Sequence, residues 1–212
     1  MEEYGPKPEK FTKKWWENYW YYHTWHTLGA VFVAIFIVIG IYQMVTAPVY
    51  DLQVDYISEY GLSPEEIDGF TKVIQNGIDD ITETGKNEIN ILTIDMLSAQ
   101  NIQAVQATDS QFRLEMSFSD SYVFLMTKTY AELVSKFEIL EPTSVWAGEH
   151  ANEGVILSME NSKVLKDAGL KPRERELYIG VLKMRDKEAG KEIEKKRYQN
   201  GIKLANYLIV GE

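Results

Sequence analysis

Hydrophobic patterning divides this chain in two. Residues 28–45, LGAVFVAIFIVIGIYQMV, form an almost unbroken apolar run with no charge, and seven of the twelve residues in the preceding WWENYWYYHTWH, 15–26, are aromatic. A helix of roughly 20 apolar residues crosses the hydrocarbon core of a bilayer, and flanking Trp and Tyr rings settle at the headgroup boundary. The run therefore predicts a transmembrane anchor over 28–46, preceded by a cytoplasmic and interfacial aromatic segment over 1–27. Lys7, Lys10, Lys13 and Lys14 precede it, and the next basic residue is Lys72. Basic residues near a membrane helix stay in the cytoplasm. The expected topology is a cell membrane protein with its N-terminus inside and a domain over 49–212 outside. Val45-Thr46-Ala47 mimics a signal-peptide cleavage site, but Pro48 comes directly after it and obstructs it, so an uncleaved signal anchor is expected.

Beyond Pro48 the pattern becomes short strands alternating with helices. Leu52, Val54, Tyr56 and Ile57 predict a strand ending at Ser58-Glu59-Tyr60-Gly61. Ser63-Pro64-Glu65-Glu66 has the form of a capping box, opening a helix through Ile67, Phe70, Val73, Ile74 and Ile78. Residues 88–96, EINILTIDM, alternate as a second strand. A glutamine-rich helix comes next around Ile102, Val105, Phe112 and Leu114, interrupted or restarted near 108–110. The continuous apolar run 122–126, YVFLM, fits a strand covered on both faces. A helix over 129–137 with Thr129 and Glu132 as its capping box, a strand at 154–159, a short helix at 161–168 and a strand at 177–184 complete the alternation. The closing helix spans 188–209 and is expected to break at Asn200-Gly201, a turn signal; residues 143–153 read as loop. The alternation predicts an α/β domain with one mainly parallel sheet and helices on both faces.

Charge narrows the function. Residues 1–46 hold four lysines and four glutamates, so 18 of the 22 basic and 28 of the 32 acidic residues lie beyond, and the net charge of −10 belongs there. Such a domain repels nucleic acid and anionic headgroups, leaving lipid contact to the anchor. The absence of cysteine excludes disulfides, thiolate metal sites and thiol nucleophiles. The acidic stretches 51–68 and 79–80 lack calcium-loop spacing and read as surface. His23 and His26 have no third ligand, and His150 sits in a polar loop with Glu149 and Glu153, so no metal or other cofactor is expected. No nucleophile motif or phosphate-binding glycine loop is present, and the domain reads as non-enzymatic.

The aromatic WENYWYYHTWHT segment before the anchor, followed by an α/β domain, resembles a group of small single-pass membrane proteins of Gram-positive bacteria. The layout over 52–142, ending in SDSYVFLMTKTYAELVSKFEILEP, is similar to one lobe of the type II periplasmic solute-binding proteins. That resemblance implies a solute-binding-like domain recognising a small polar solute, a peptide or a surface partner. The chain has length for one such lobe and not for two. A second reading is a structural or accessory subunit of a cell-envelope complex, with a protein partner and no ligand.

In open parallel sheets ligands sit beyond the carboxyl ends of the strands. The expected site residues are therefore Ser58, Glu59, Tyr60, Asp95, Thr127 and Lys128, with further hydroxyls at Ser98 and Thr129. Trp146, alone among the tryptophans in lying outside the anchor region, either covers the edge of the core or reaches these loops as a platform.

Overall fold

A computed structural model describes residues 9–46, 48–96, 102–118, 120–170 and 176–211. The chain divides into two compact units, Met1–Pro48 and Val49–Glu212.

The first unit is one helix, α1 (Lys13–Thr46), of 34 residues with none buried. At 1.5 Å per residue it is about 51 Å long, where about 20 residues suffice for the hydrocarbon core. It is long and apolar enough to cross a membrane, a property that anchors and signal sequences share. Its aromatic half is zipped along one stripe, as i, i+4 spacing on a helix requires. Trp15 stacks on Tyr19 at 5.6 Å, Tyr19 meets His23 at 5.1 Å, and the Tyr19 hydroxyl pairs with that of Thr27 at 2.9 Å.

The second unit is an α/β domain built on five strands: β1 (Leu52–Ser58), β2 (Ile89–Asp95), β3 (Val123–Thr127), β4 (Leu157–Ser158) and β5 (Leu177–Val181). Their order is β2-β1-β3-β5-β4. The helices are α2 (Pro64–Ile74), α3 (Ile102–Phe118), α4 (Lys128–Val134), the four-residue α5 (Thr143–Trp146), α6 (Lys163–Asp167) and α7 (Glu192–Val210). β1 pairs in parallel with both β2 and β3. The chain leaves β1 toward β2 and then crosses back over β1 to β3. Right-handed crossovers in opposite directions put α2 and α3 on opposite faces of the sheet. α2 packs with α6 and α7, and Phe112 of α3 meets Tyr130 of α4 at 6.3 Å.

The sheet is mixed where the sequence predicts one mainly parallel. β5 runs antiparallel to β3, and β4 antiparallel to β5. α6 has five residues, about 8 Å of helix. The Met159 N–H donates to the Leu177 carbonyl at 2.7 Å, so β5 begins at the end where β4 stopped.

Other departures have local causes. The expected break at Asn200-Gly201 is absent, and α7 runs unbroken. A Cβ on Gly201 would stand 2.9 Å from that of Tyr122, so glycine serves close helix–sheet approach rather than a turn. The Asn200 amide bridges the backbone of Asp79, accepting from its N–H at 3.0 Å and donating to its carbonyl at 2.8 Å. α2 stops at Ile74 and gives way to a tighter turn over Gln75–Gly77, and glycine at 77 lets that turn lie against Tyr207, whose ring an added Cβ would meet at 2.6 Å. α3 is continuous through 108–110. The capping box of Ser63 and Glu66 is present with both bonds, at 3.3 and 2.9 Å. The one expected at Thr129 is not, since α4 already begins at Lys128.

Asp51 and Asp55, expected at the surface, are wholly buried. One oxygen of Asp51 accepts from the Ile81 N–H, the Thr82 N–H and the Thr82 hydroxyl at 2.8–2.9 Å; the other accepts from the Glu88 N–H at 2.7 Å. Hydrogen bonds to a charged acceptor contribute about 1.5–3 kcal/mol each, and their loss strands buried donors. Asp51→Ala is therefore expected to cost about 3 kcal/mol or more in urea unfolding, and Asp51→Asn less. Wild-type stability in both would contradict this role.

Candidate functional site

Register brings three strand ends together. Ser58 is opposite Asp95, and Ile57 opposite Met126 places Thr127 beside Ser58 on the other side. Neighbouring parallel strands are about 4.8 Å apart and partners share a face. Ser58, Asp95 and Thr127 thus project from one face at the carboxyl edge. β1 and β3 meet where the crossovers part, the topological switch point at which open α/β sheets form a crevice.

The loop after β1 is drawn over this edge. The Ser58 hydroxyl donates to the Tyr60 carbonyl, and the Met96 N–H donates to the Ser58 carbonyl at 3.0 Å. Gly61 lies against β2: an added Cβ would be 3.2 Å from the Thr93 methyl and 3.3 Å from Asp95 Oδ2. Tyr60 remains 47% exposed.

Two hydroxyls stand out. Among the described residues, the buried side-chain oxygens without a hydrogen-bond partner are Thr93 Oγ1 and Thr127 Oγ1. Thr93 is two residues before Asp95 and opposite Tyr56, hence on the same face as Ser58 and Thr127. Thr127 is only 2% exposed and sits at the N-cap of α4 without capping it. Buried polar groups are almost always paired, so two orphans at one edge call for an explanation.

Tyr130, in the first turn of α4, adds an electrostatic marker. Its phenol is pushed above the ordinary range first by burial and then by the carboxylates of Glu59 and Asp95. Both charges therefore act at one place.

The remaining expected residues lie elsewhere or face away. Lys128 turns to β5, pairing with Glu176 at 3.6 Å, while the Tyr178 hydroxyl donates to that same carboxylate at 2.8 Å. Thr129 is exposed, and Ser98 lies outside the described residues. Trp146 is not brought to this edge. It is 2% exposed, and its indole N–H donates to the Glu141 carbonyl at 3.4 Å. The Glu141 N–H donates to the Val181 carbonyl, and Val181 is opposite Val123, at the other end of β3 from Thr127. The ring covers the core there. No group of three or more His, Cys, Asp or Glu side chains among the described residues could hold a metal ion.

A second titratable cluster, at the amino edge, is bonded within itself. Tyr122 donates to Glu194 at 3.1 Å, and Arg197 pairs with Glu194 at 2.9 Å and donates to the Tyr50 carbonyl at 3.1 Å. Tyr198 donates to Glu141 at 3.0 Å and meets the Tyr122 ring edge-on at 5.6 Å. Burial and the bond to Glu141 push Tyr198 up to about 12, and burial with Glu194 pushes Tyr122 higher still. These contacts serve stability.

No protein-family model matches this chain, nor does any curated protein or solved structure.

Two expectations arise from these clusters. Above about pH 10 the unfolded chain gives up tyrosine protons that the fold retains, so stability complete below that pH declines as pH rises through about 10–12. Tyr198→Phe should flatten part of this decline in urea unfolding tracked across that window; an unchanged slope would contradict it. At the carboxyl edge, Thr127→Val removes an unpaired hydroxyl and should leave stability unchanged or raise it by about 1 kcal/mol. A loss of about 1 kcal/mol would instead mark Thr127 as a working helix cap.

Proposed function

We propose that this chain is a membrane-anchored, non-enzymatic extracytoplasmic domain that recognises a small polar ligand at the carboxyl edge of its sheet. The observation that supports this most is the coincidence of both orphaned buried hydroxyls, Thr93 and Thr127, on one face of one edge, at a switch point. Stability alone disfavours such groups, whereas a binding site keeps them for a ligand. Glu59, Tyr60 and Asp95 border the same place. The solute-binding-like layout of strand ends, with loops feeding helices, agrees with this reading. α1 supplies the anchor, and the four lysines ahead of its apolar run, Lys7, Lys10, Lys13 and Lys14, hold the N-terminus in the cytoplasm.

The accessory-subunit reading has its own support. Leu133 and Phe137, four residues apart, are 39% and 50% exposed, an apolar pair suited to packing against another protein.

The absence of cysteine makes topology directly testable. A single cysteine at exposed Glu149 should react with a membrane-impermeant maleimide in intact cells, and one at exposed Lys10 only after lysis. The opposite pattern reverses the topology. For binding, full-length protein in nanodiscs should show a raised melting temperature with at least one member of a panel of sugars, amino acids and short peptides. Asp95→Ala should abolish that shift. A panel without effect favours the accessory subunit.

A further inference from the structure

We infer that the outer edge of β2 accepts an added strand, an extended basic segment of another protein, hydrogen-bonded through its backbone to Ile89, Ile91 and Thr93. The inference lies beyond the small-ligand reading of the carboxyl edge and stands independently of it.

β2 is the outermost strand on its side of the sheet, and among the described residues it pairs with β1 alone. Along a strand, the backbone N–H and C=O groups of successive residues point to alternate edges. Two bonds fix the direction at the ends of β2. The Glu88 carbonyl accepts from the Asp51 N–H at 2.8 Å, and the Met96 N–H donates to the Ser58 carbonyl at 3.0 Å. Between them the β1–β2 ladder holds register at all seven positions, without a bulge. The even-numbered residues therefore bond to β1, and Ile89, Ile91 and Thr93 turn their backbone groups outward. Residues 90–93 are only half-buried, whereas every residue of β3 is buried.

Sheets blunt an open edge with short strands, proline, lysine or a bulge. β4, the outer strand on the other side, is two residues long. β2 has seven residues, INILTID, with no proline and no basic residue among them. One edge of this sheet is closed off by shortness, and the other is left long and regular.

The occupant follows from the chemistry of that edge. Outward donors and acceptors recur every second residue, roughly 6.6 Å apart, and an extended backbone repeats at the same interval. A helix spends its backbone groups on itself, and a small polar molecule covers one repeat only. The added side chains would continue the two faces beside Ile91 and Leu92, which pack against the core, so β-branched residues suit them. Charge selects further: 28 of the 32 acidic but 18 of the 22 basic residues lie beyond residue 46, which draws in a basic segment and repels an acidic one.

The test is residue-resolved amide hydrogen exchange of the full-length protein in nanodiscs, with the heptapeptide acetyl-KVTVTVK-amide and with its acidic counterpart acetyl-EVTVTVE-amide. The basic peptide is expected to slow exchange at Ile89, Ile91 and Thr93 by about tenfold or more, and the acidic one to leave it unchanged. N-methylation of the three valines blocks one edge of the peptide, and N-methylation of the lysines and threonines blocks the other. One of these two peptides should lose the effect and the other keep it, with the protein itself unaltered. No slowing by the basic peptide, equal slowing by both charges, or the same result from both methylated peptides overturns the inference. Slow exchange at these amides before any peptide is added shows the edge already covered, by a second copy where it grows with protein concentration, and overturns it as well.

Discussion

The fold depends on the position of β1. It lies between two parallel partners that the chain reaches in opposite directions, and six of its seven residues are buried. A strand bonded on both sides and covered on both faces leaves little freedom to the segments downstream of it. The crossovers through α2 and α3 go to opposite faces; the chain leaves β1 into α2 and leaves β3 into α4, which meets α3, so the two strand ends part at a topological switch point. Ser58 and Thr127 stand side by side at that point because register puts them there. Asp51 secures the start of the same strand, its carboxylate holding the backbone of the loop ahead of β2.

The two ends of the sheet solve their polar groups differently. At the amino edge Tyr122, Tyr198, Glu141, Glu194 and Arg197 bond one another, so burying them costs little. At the carboxyl edge Thr93 and Thr127 are buried without such closure, beside Asp95 and close to Glu59. Proteins that sit a few kcal/mol above unfolding keep such groups where function needs them. That contrast within one domain is the strongest physical support for recognition at the carboxyl edge.

Much of this architecture was legible in the chain. The Ser63–Glu66 box, the buried β3 run and the strand ends at Ser58, Asp95 and Thr127 are local signals, and local signals survive folding. The features that misled are set at long range. Asn200-Gly201 reads as a turn until Tyr122 and Asp79 are placed against it, and the direction of β5 is set by its antiparallel pairing with β3 and β4. Thr93 and Tyr130 were not foreseen at the edge. Thr93 looks like any β-branched strand residue until register fixes its face, and Tyr130 reads as a helix residue until α4 is placed beside the two carboxylates. Trp146 carried two meanings in sequence, and its burial against Glu141 settles the nearer of them. Asp51 and Asp55 misled because charge patterning cannot reveal burial, nor, for Asp51, partners 30 residues and more along the chain.

The central claim is that β1 is an inner strand, paired with β2 and β3, with the switch point of the sheet at its carboxyl end. Residue-resolved amide hydrogen exchange on the full-length protein tests it most directly. The expected result is that β1 and β3 amides exchange slowest, β2 and β4 exchange faster as outer strands, and protection drops sharply after Ser58 and after Thr127. If β2 is as protected as β1, or if protection continues unbroken through Glu59 and Tyr60, then β1 is not an inner strand that ends at Ser58, and the account fails.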